Sequence, residues 1–304
     1  MQLCEESRDI IVCEEGRWQS NPILSSIEEK GCRFCAEQDG KLLRIRESSD
    51  TPIHIYYRGK GSSTSHLRIV VEKGCCVRII EHLQAQEHTS IRSHLCLDLH
   101  KGSRVVHTRF EPRLSLDLAS SLKVTVGDEA SFDSTCACLL MRSRRCVKAS
   151  VGSSAELHIR SLCYSPLESE QELFSTVEHT AQDSLSSIVC KAVVEGSSRM
   201  RSRVLICREA ARAESHQLSR FLTLSDQART VNEPQLQVFA DDVKASHGAT
   251  AGQIDEDMLW YMRTRGLPAP LARKLCIEGF CEEVLEHFSE TDKAQFLQAL
   301  EMVR

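Results

Sequence analysis

Aromatic residues are scarce in this sequence, at 5 % of the chain. That is too few for the stacking platforms on which single-strand nucleic-acid binders lay their bases. A sustained basic block is missing as well. Arg142-Ser143-Arg144-Arg145 and the arginines between Arg199 and Arg203 form short clusters that read as solvated strand edges, and the net charge is −5. Nucleic-acid binding is therefore not expected. No apolar run approaches the roughly 18 residues of a membrane span. The N-terminus, Met1-Gln2-Leu3-Cys4-Glu5-Glu6, is acidic where a secretory signal would be basic, so a cytoplasmic location is expected. No P-loop or dinucleotide fingerprint occurs, and without a G-x-S-x-G elbow a hydrolase triad has no support.

Cysteine, by contrast, is plentiful, with 15 residues in a chain of 304. In the absence of a secretory signal these are expected to be mostly free thiols in a reducing compartment. Cys32 and Cys35 make one CxxC, but no second CxxC completes a four-ligand zinc site. Cys75-Cys76 and Cys136-x-Cys138 fall inside strand-like runs, where free cysteine behaves as a small apolar residue.

Residues 1–50 form a short, weakly patterned N-terminal segment with turn signals at Asn21-Pro22 and Asp39-Gly40. Beyond them, apolar residues alternate in short runs: Leu67/Ile69/Val71, Leu95/Leu97/Leu99, Leu122/Val124/Val126 and Leu157/Ile159. Each run has the length of a strand and is too short for a helix. A repeat of the form Gly-x-x-small apolar underlies the alternation. It begins at Gly74, Gly102, Gly127 and Gly152, with spacings of 28, 25 and 25 residues, and Gly196 and Ser225–Ala228 look like looser copies. A period near 25 residues without helices between the strands is the signature of a solenoid. Leucine-rich repeats would show a helix or an asparagine ladder, and hexapeptide solenoids would repeat every six residues. The expected fold is mainly β, a parallel β-helix over residues 51–252. Its seven or eight coils, stacked about 4.8 Å apart, would make a rod of roughly 35–40 Å. A two-sheet antiparallel sandwich is the alternative. Residues 253–304 change to helical periodicity and form a small α-helical C-terminal domain. Asp255 and Gly266 bound its first helix, a second follows Pro270, and Ser289-Glu-Thr-Asp292 resembles a capping box for a third.

The junction Asp241–Asp255, DDVKASHGATAGQID, holds the leading candidate for chemistry, His247. It reads as a polar, glycine-bearing loop between a strand and a helix. A neutral imidazole there suits iron or zinc, or else simply hydrogen-bonds to the backbone of a tight loop. Nothing nearby in sequence completes a ligand set. In the second helix Cys276, Phe280, Val284 and Phe288 recur every four residues, and Leu271, Leu275 and Leu285 broaden the stripe. That face either packs on the end of the rod or docks another protein.

The segment Asn232–Asp255, with the following Leu259-Trp-Tyr-Met-Arg-Thr-Arg-Gly266 and the preceding Phe221–Ala228, resembles the C-terminal hallmark of the SufB/SufD family. The likeness is strong over residues 215–290 and faint upstream to about residue 50. Gly248 follows His247 where SufB-like chains carry glutamate, and Phe221–Leu224 lacks their cysteine, so the chain is similar to the SufD branch. Two departures from the family pattern stand out: Ala245 replaces a frequent cysteine two residues before the histidine, and the segment before the rod is shorter than usual. The resemblance implies a right-handed parallel β-helix that pairs with a SufB-type scaffold. It implies C-terminal helices, here Leu271, Leu275, Phe280 and Val284, that dock a SufC-type ABC ATPase. A cysteine desulfurase would act only indirectly, and a homodimer in isolation is compatible. His247 is then expected to meet iron or a nascent iron–sulfur cluster at the SufB-type interface, with no cofactor bound stably by this chain alone. The alternative is a structural or interaction β-solenoid without a metal role.

Overall fold

The computed structural model describes residues 10–14, 17–19, 32–37, 40–59, 61–85, 88–112 and 116–301. The turn signal at Asn21-Pro22 lies outside them. Successive strands alternate between two sheets, one of ten strands and one of nine, and every pairing within the rod is parallel. Among the described residues, only two N-terminal pairs are antiparallel, Ile10–Glu14 with Arg17–Gln19 and Cys32–Glu37 with Gly40–Ile45. The chain is thus mainly β and coils as a parallel solenoid, which sets aside the antiparallel sandwich. The sheets begin before residue 51, because Ile10–Glu14 pairs with Ile53–Gly59 and Gly40–Ile45 pairs with Ser62–Val71.

Alternation of apolar and polar residues drives this arrangement. In Ser90–Leu99 the residues Ile91, Ser93, Leu95, Leu97 and Leu99 are buried, while the alternate residues are more exposed. One core of Ile, Leu, Val and Cys side chains fills the rod from Ile11 to Phe221. Its apolar ladders, repeated in register on every coil, bury area at about 25 cal/mol per Å².

The glycine repeat resolves into two different positions. The corner that carries the chain from the nine-stranded sheet to the ten-stranded one has a left-handed residue on most coils: Gly74, Gly102, Glu129, Ser154, Asp183, Arg212 and Asp242. Backbone hydrogen bonds link several of these corners, for instance from the Gly102 N–H to Asp128 and from the Glu129 N–H to Ser153. Gly74 and Gly102 are glycines of conformation. Gly127 is a glycine of space, since a Cβ there would lie 2.5 Å from the Leu99 carbonyl oxygen of the coil below. Gly196 and Ser225–Ala228 lie at the opposite corner of their coils, so they are not copies of the same motif.

Three helices follow, α1 (Glu256–Thr264), α2 (Ala269–Leu285) and α3 (Glu290–Leu300). The Asp255 carboxylate caps α1 by accepting from the N–H groups of Asp257 and Met258, and Gly266 follows its end at a φ of 91°. Ser289 caps α3 by accepting from Asp292 N–H. The helices fold back along the outer face of the ten-stranded sheet. There Ala137, Leu162, Tyr164 and Val193 meet Ile277, Cys281, Val284 and Phe288 in a second core. Lys191, buried on that face, donates to the Phe280 carbonyl at 2.8 Å and pairs with Glu283 at 2.5 Å, which fastens α2 to the rod. No helix among the described residues is long and apolar enough to cross a membrane.

Candidate functional site

His247 lies in a strand, Lys244–Gly252, and not in the loop that its glycine- and serine-containing surroundings suggest. Parallel pairing with Glu214–Leu222 draws the segment into the sheet, as the Lys244 N–H bonds to the Ala213 carbonyl. The small residues that mimic a loop fit closely here: a Cβ on Gly248 would stand 3.3 Å from Leu218. The corner before this strand is made by Asp242, with a φ of 54°, and it separates Asp241 and Asp242 from the histidine.

The register fixes where His247 points. Its Cα partner is Gln217, whose partner is Ile188, and the same ladder continues through Ile159, Ser134 and His107. All of these lower members are buried in the rod. Side chains in register on parallel strands share a face, so His247 belongs to the inner face of the rod. It is exposed because its strand is the last in that direction of the ten-stranded sheet and no coil among the described residues covers it. The other inward positions of that strand, Ala245, Ala249 and Ala251, are small. The imidazole is therefore the one long inward side chain on this edge. Ser246, its neighbour in sequence, faces out and meets His216 at 3.0 Å, so the two do not form a hydroxyl–imidazole pair.

The companion strand of the last coil, Arg229–Val238, ends the nine-stranded sheet in the same way. It presents Val238 and Phe239 to solvent, the latter 61 % exposed. Two open strand edges with apolar residues beside them form a template for another β-structure. Among the described residues no three His, Cys, Asp or Glu side chains group to hold a metal ion. From those residue types, His247 has no full ligand set among the described residues.

Deeper in the rod lies a charged cluster that the sequence reading did not single out. The Glu81 carboxylate accepts from His107 Nε2 at 2.7 Å and from Arg109 Nη1 at 3.0 Å, and Arg109 Nε donates to Glu111 at 2.7 Å. Burial alone would raise the Glu81 carboxyl, but Arg109 and the His107 hydrogen bond outweigh it and hold it below the usual carboxylate range. Since a carboxylate only accepts, His107 carries its proton on Nε2, and its Nδ1 meets Ser134 at 2.9 Å. The signal was present in phase: Glu81 alternates in step with Val77 and Ile79, which are buried.

Thiols continue the interior beyond this cluster. Cys136 is the register partner of Arg109 and of Ser161, which pairs in turn with Cys190, and Cys138 partners Cys163. Burial pushes the Cys136 and Cys190 thiols up to about 12. They are protonated at neutral pH, unlike the thiolates that bind metal or attack. The described cysteines are free.

The residues expected to dock a partner divide between two sides of α2. Val284 is fully buried in the second core, and Phe280 packs against that core beneath Lys191. Leu271 and Leu275 turn outward, 41 % and 40 % exposed. Leu275 borders an apolar hollow of about 440 Å³ with Leu222, Ile254, Met258, Met262 and Phe280. A larger groove of about 920 Å³ opens between the three helices. Leu259, Ile277, Leu297 and Leu300 line it, exposed Trp260 stands at its side, and Arg273, Lys274 and Glu278 add charge.

Residues 55–280 match the family described as SUF system FeS cluster assembly, SufBD core domain. The iron–sulfur cluster assembly protein SufD of Escherichia coli is 25 % identical over 239 residues, which cover 75 % of this chain and 56 % of that protein. A SufBD family protein of Pyrococcus horikoshii is 26 % identical over 270 residues, 81 % of this chain and 58 % of its own length. A SufBD family protein of Synechocystis is 44 % identical over 84 residues, 28 % of this chain and 18 % of that protein. The chain thus spans little more than half the length of the first two relatives, and less of the third.

Proposed function

Because this chain belongs to the SufBD core family of the SUF iron–sulfur cluster assembly system and is SufD-like, we propose that it is a non-enzymatic assembly subunit in a complex with SufB-type and SufC-type proteins. Its last coil receives the SufB-type scaffold, whose own β-rod continues the two open strand edges. His247, on the inner face of that coil, contributes an imidazole to iron passing into the nascent cluster. The scaffold supplies the remaining ligands. Leu271 and Leu275, with the hollow beside them, receive the SufC-type ATPase, and Val284 and Phe280 hold α2 in place for that contact.

The observation that carries this reading is the register of His247. A histidine of the inner ladder, on the strand that ends its sheet beside the C-terminal helices, faces whatever caps that end of the rod. Iron is cargo here and no resident cofactor is required. Neutral imidazole accepts ferrous iron readily. Substituting His247→Ala in a complex reconstituted with SufB-type and SufC-type subunits is expected to cut cluster formation severalfold while the subunits still co-purify. Wild-type cluster formation by that variant would remove the role.

A further inference from the structure

Two inward-facing amide side chains near the open end of the rod are tied in the same unusual way. Gln217, only 4 % exposed, donates Nε2 to the Ser202 carbonyl at 3.2 Å, and its Oε1 has no partner among the described residues. Asn232 donates Nδ2 to the Ser219 carbonyl at 3.1 Å, and its Oδ1 is likewise buried and unpartnered. In each case the nitrogen is anchored to the backbone, which fixes the amide plane and leaves a carbonyl oxygen free. Unpaired buried acceptors are costly and call for an explanation. Their positions supply one. Gln217 is the Cα partner of His247 on the adjacent strand and shares its inner face. Asn232, paired with buried Met200, faces inward on the other strand of the last coil.

We propose that Gln217 Oε1 and Asn232 Oδ1 act with the His247 imidazole as this chain's donor set for ferrous iron at the mouth of the rod. The proposal rests on the reading of His247 given above and adds the residues that would give it selectivity. One borderline nitrogen and two hard carbonyl oxygens suit Fe²⁺ better than a soft ion such as Cu⁺. The set contains no thiolate, in keeping with Ala245 at the neighbouring inward position. Neutral donors add no charge to the site, so they hold a divalent ion loosely enough to pass it on. The nearby buried thiols take no part.

The test is an anaerobic titration of the full chain with Fe²⁺, followed by the histidine side-chain carbon-13 resonances. The His247 signal is assigned by its loss in His247→Ala. Paramagnetic broadening of that signal is expected in the wild type, with His179, buried lower in the rod, as an internal control for an intact coil. Gln217→Leu should raise the iron concentration for half-broadening about tenfold, and Asn232→Leu should raise it as well. Gln217→Glu, which adds a charge to the same oxygen position, should lower it. Opposite shifts from the two Gln217 variants would not come from a packing role. If His247 broadens but neither Gln217 variant moves its response, the donor set is overturned while the role of His247 stands. If His247 does not broaden in the wild type, both fall.

Discussion

His179 shows how the interior of the rod treats a titratable group. It is fully buried, and its two ring nitrogens meet Ser184 at 2.7 Å and Ser186 at 2.8 Å. Burial pushes its pKa down to about 4, against about 6.5 in an unfolded chain. As pH falls from 6.5 towards 4, the unfolded chain takes up a proton that the folded one refuses, so stability declines across that window. Between pH 7 and 4.5 the wild type should lose about 2–3 kcal/mol more than His179→Gln in urea unfolding. Equal losses would contradict the assignment. His247 has the same side chain in the inner phase, but no coil among the described residues covers it. Its chemical type was legible in the sequence and its direction was not. Ser, Gly and Ala around it carry turn propensities, and only the pairing with Glu214–Leu222 reveals a strand. The buried Glu81–His107–Arg109 group was hidden for a related reason. Glu81 lies 26 and 28 residues from His107 and Arg109, and it meets them only when coils stack.

The strands and helices were largely readable, because alternation and fourfold spacing come directly from burial on one face. The corners were readable only in part. A glycine before a small apolar residue answers two needs, left-handed backbone at Gly102 and close approach of chains at Gly127, and a one-dimensional pattern merges them. For α2 the period was clear, but its division into inward and outward members depended on which face Lys191 fastens to the sheet. That division has a direct consequence. Val284→Asp should cost roughly 3–5 kcal/mol in denaturant unfolding, through a lost core side chain and a buried charge. Leu275→Asp should change stability by about 0.5 kcal/mol or less, yet abolish co-purification of a SufC-type ATPase. If Leu275→Asp retains the ATPase, the outward face of α2 is not its docking site.

As a body, the molecule is a rod whose N-terminal coils are continued by antiparallel strand pairs and whose other end stops abruptly at two open edges. Open edges beside exposed Val238 and Phe239 favour pairing with another β-structure. Phe239→Asp should therefore prevent association with a SufB-type subunit in sedimentation while the chain itself stays folded, and retained association would place the interface elsewhere. The central claim is that the histidine at this end serves the cluster that the pair builds. It is tested most directly by the amount of cluster formed per complex, wild type against His247→Ala, with subunit composition verified in both. A severalfold loss of cluster in an intact complex is the expected result, and equal cluster content in the two complexes would contradict it.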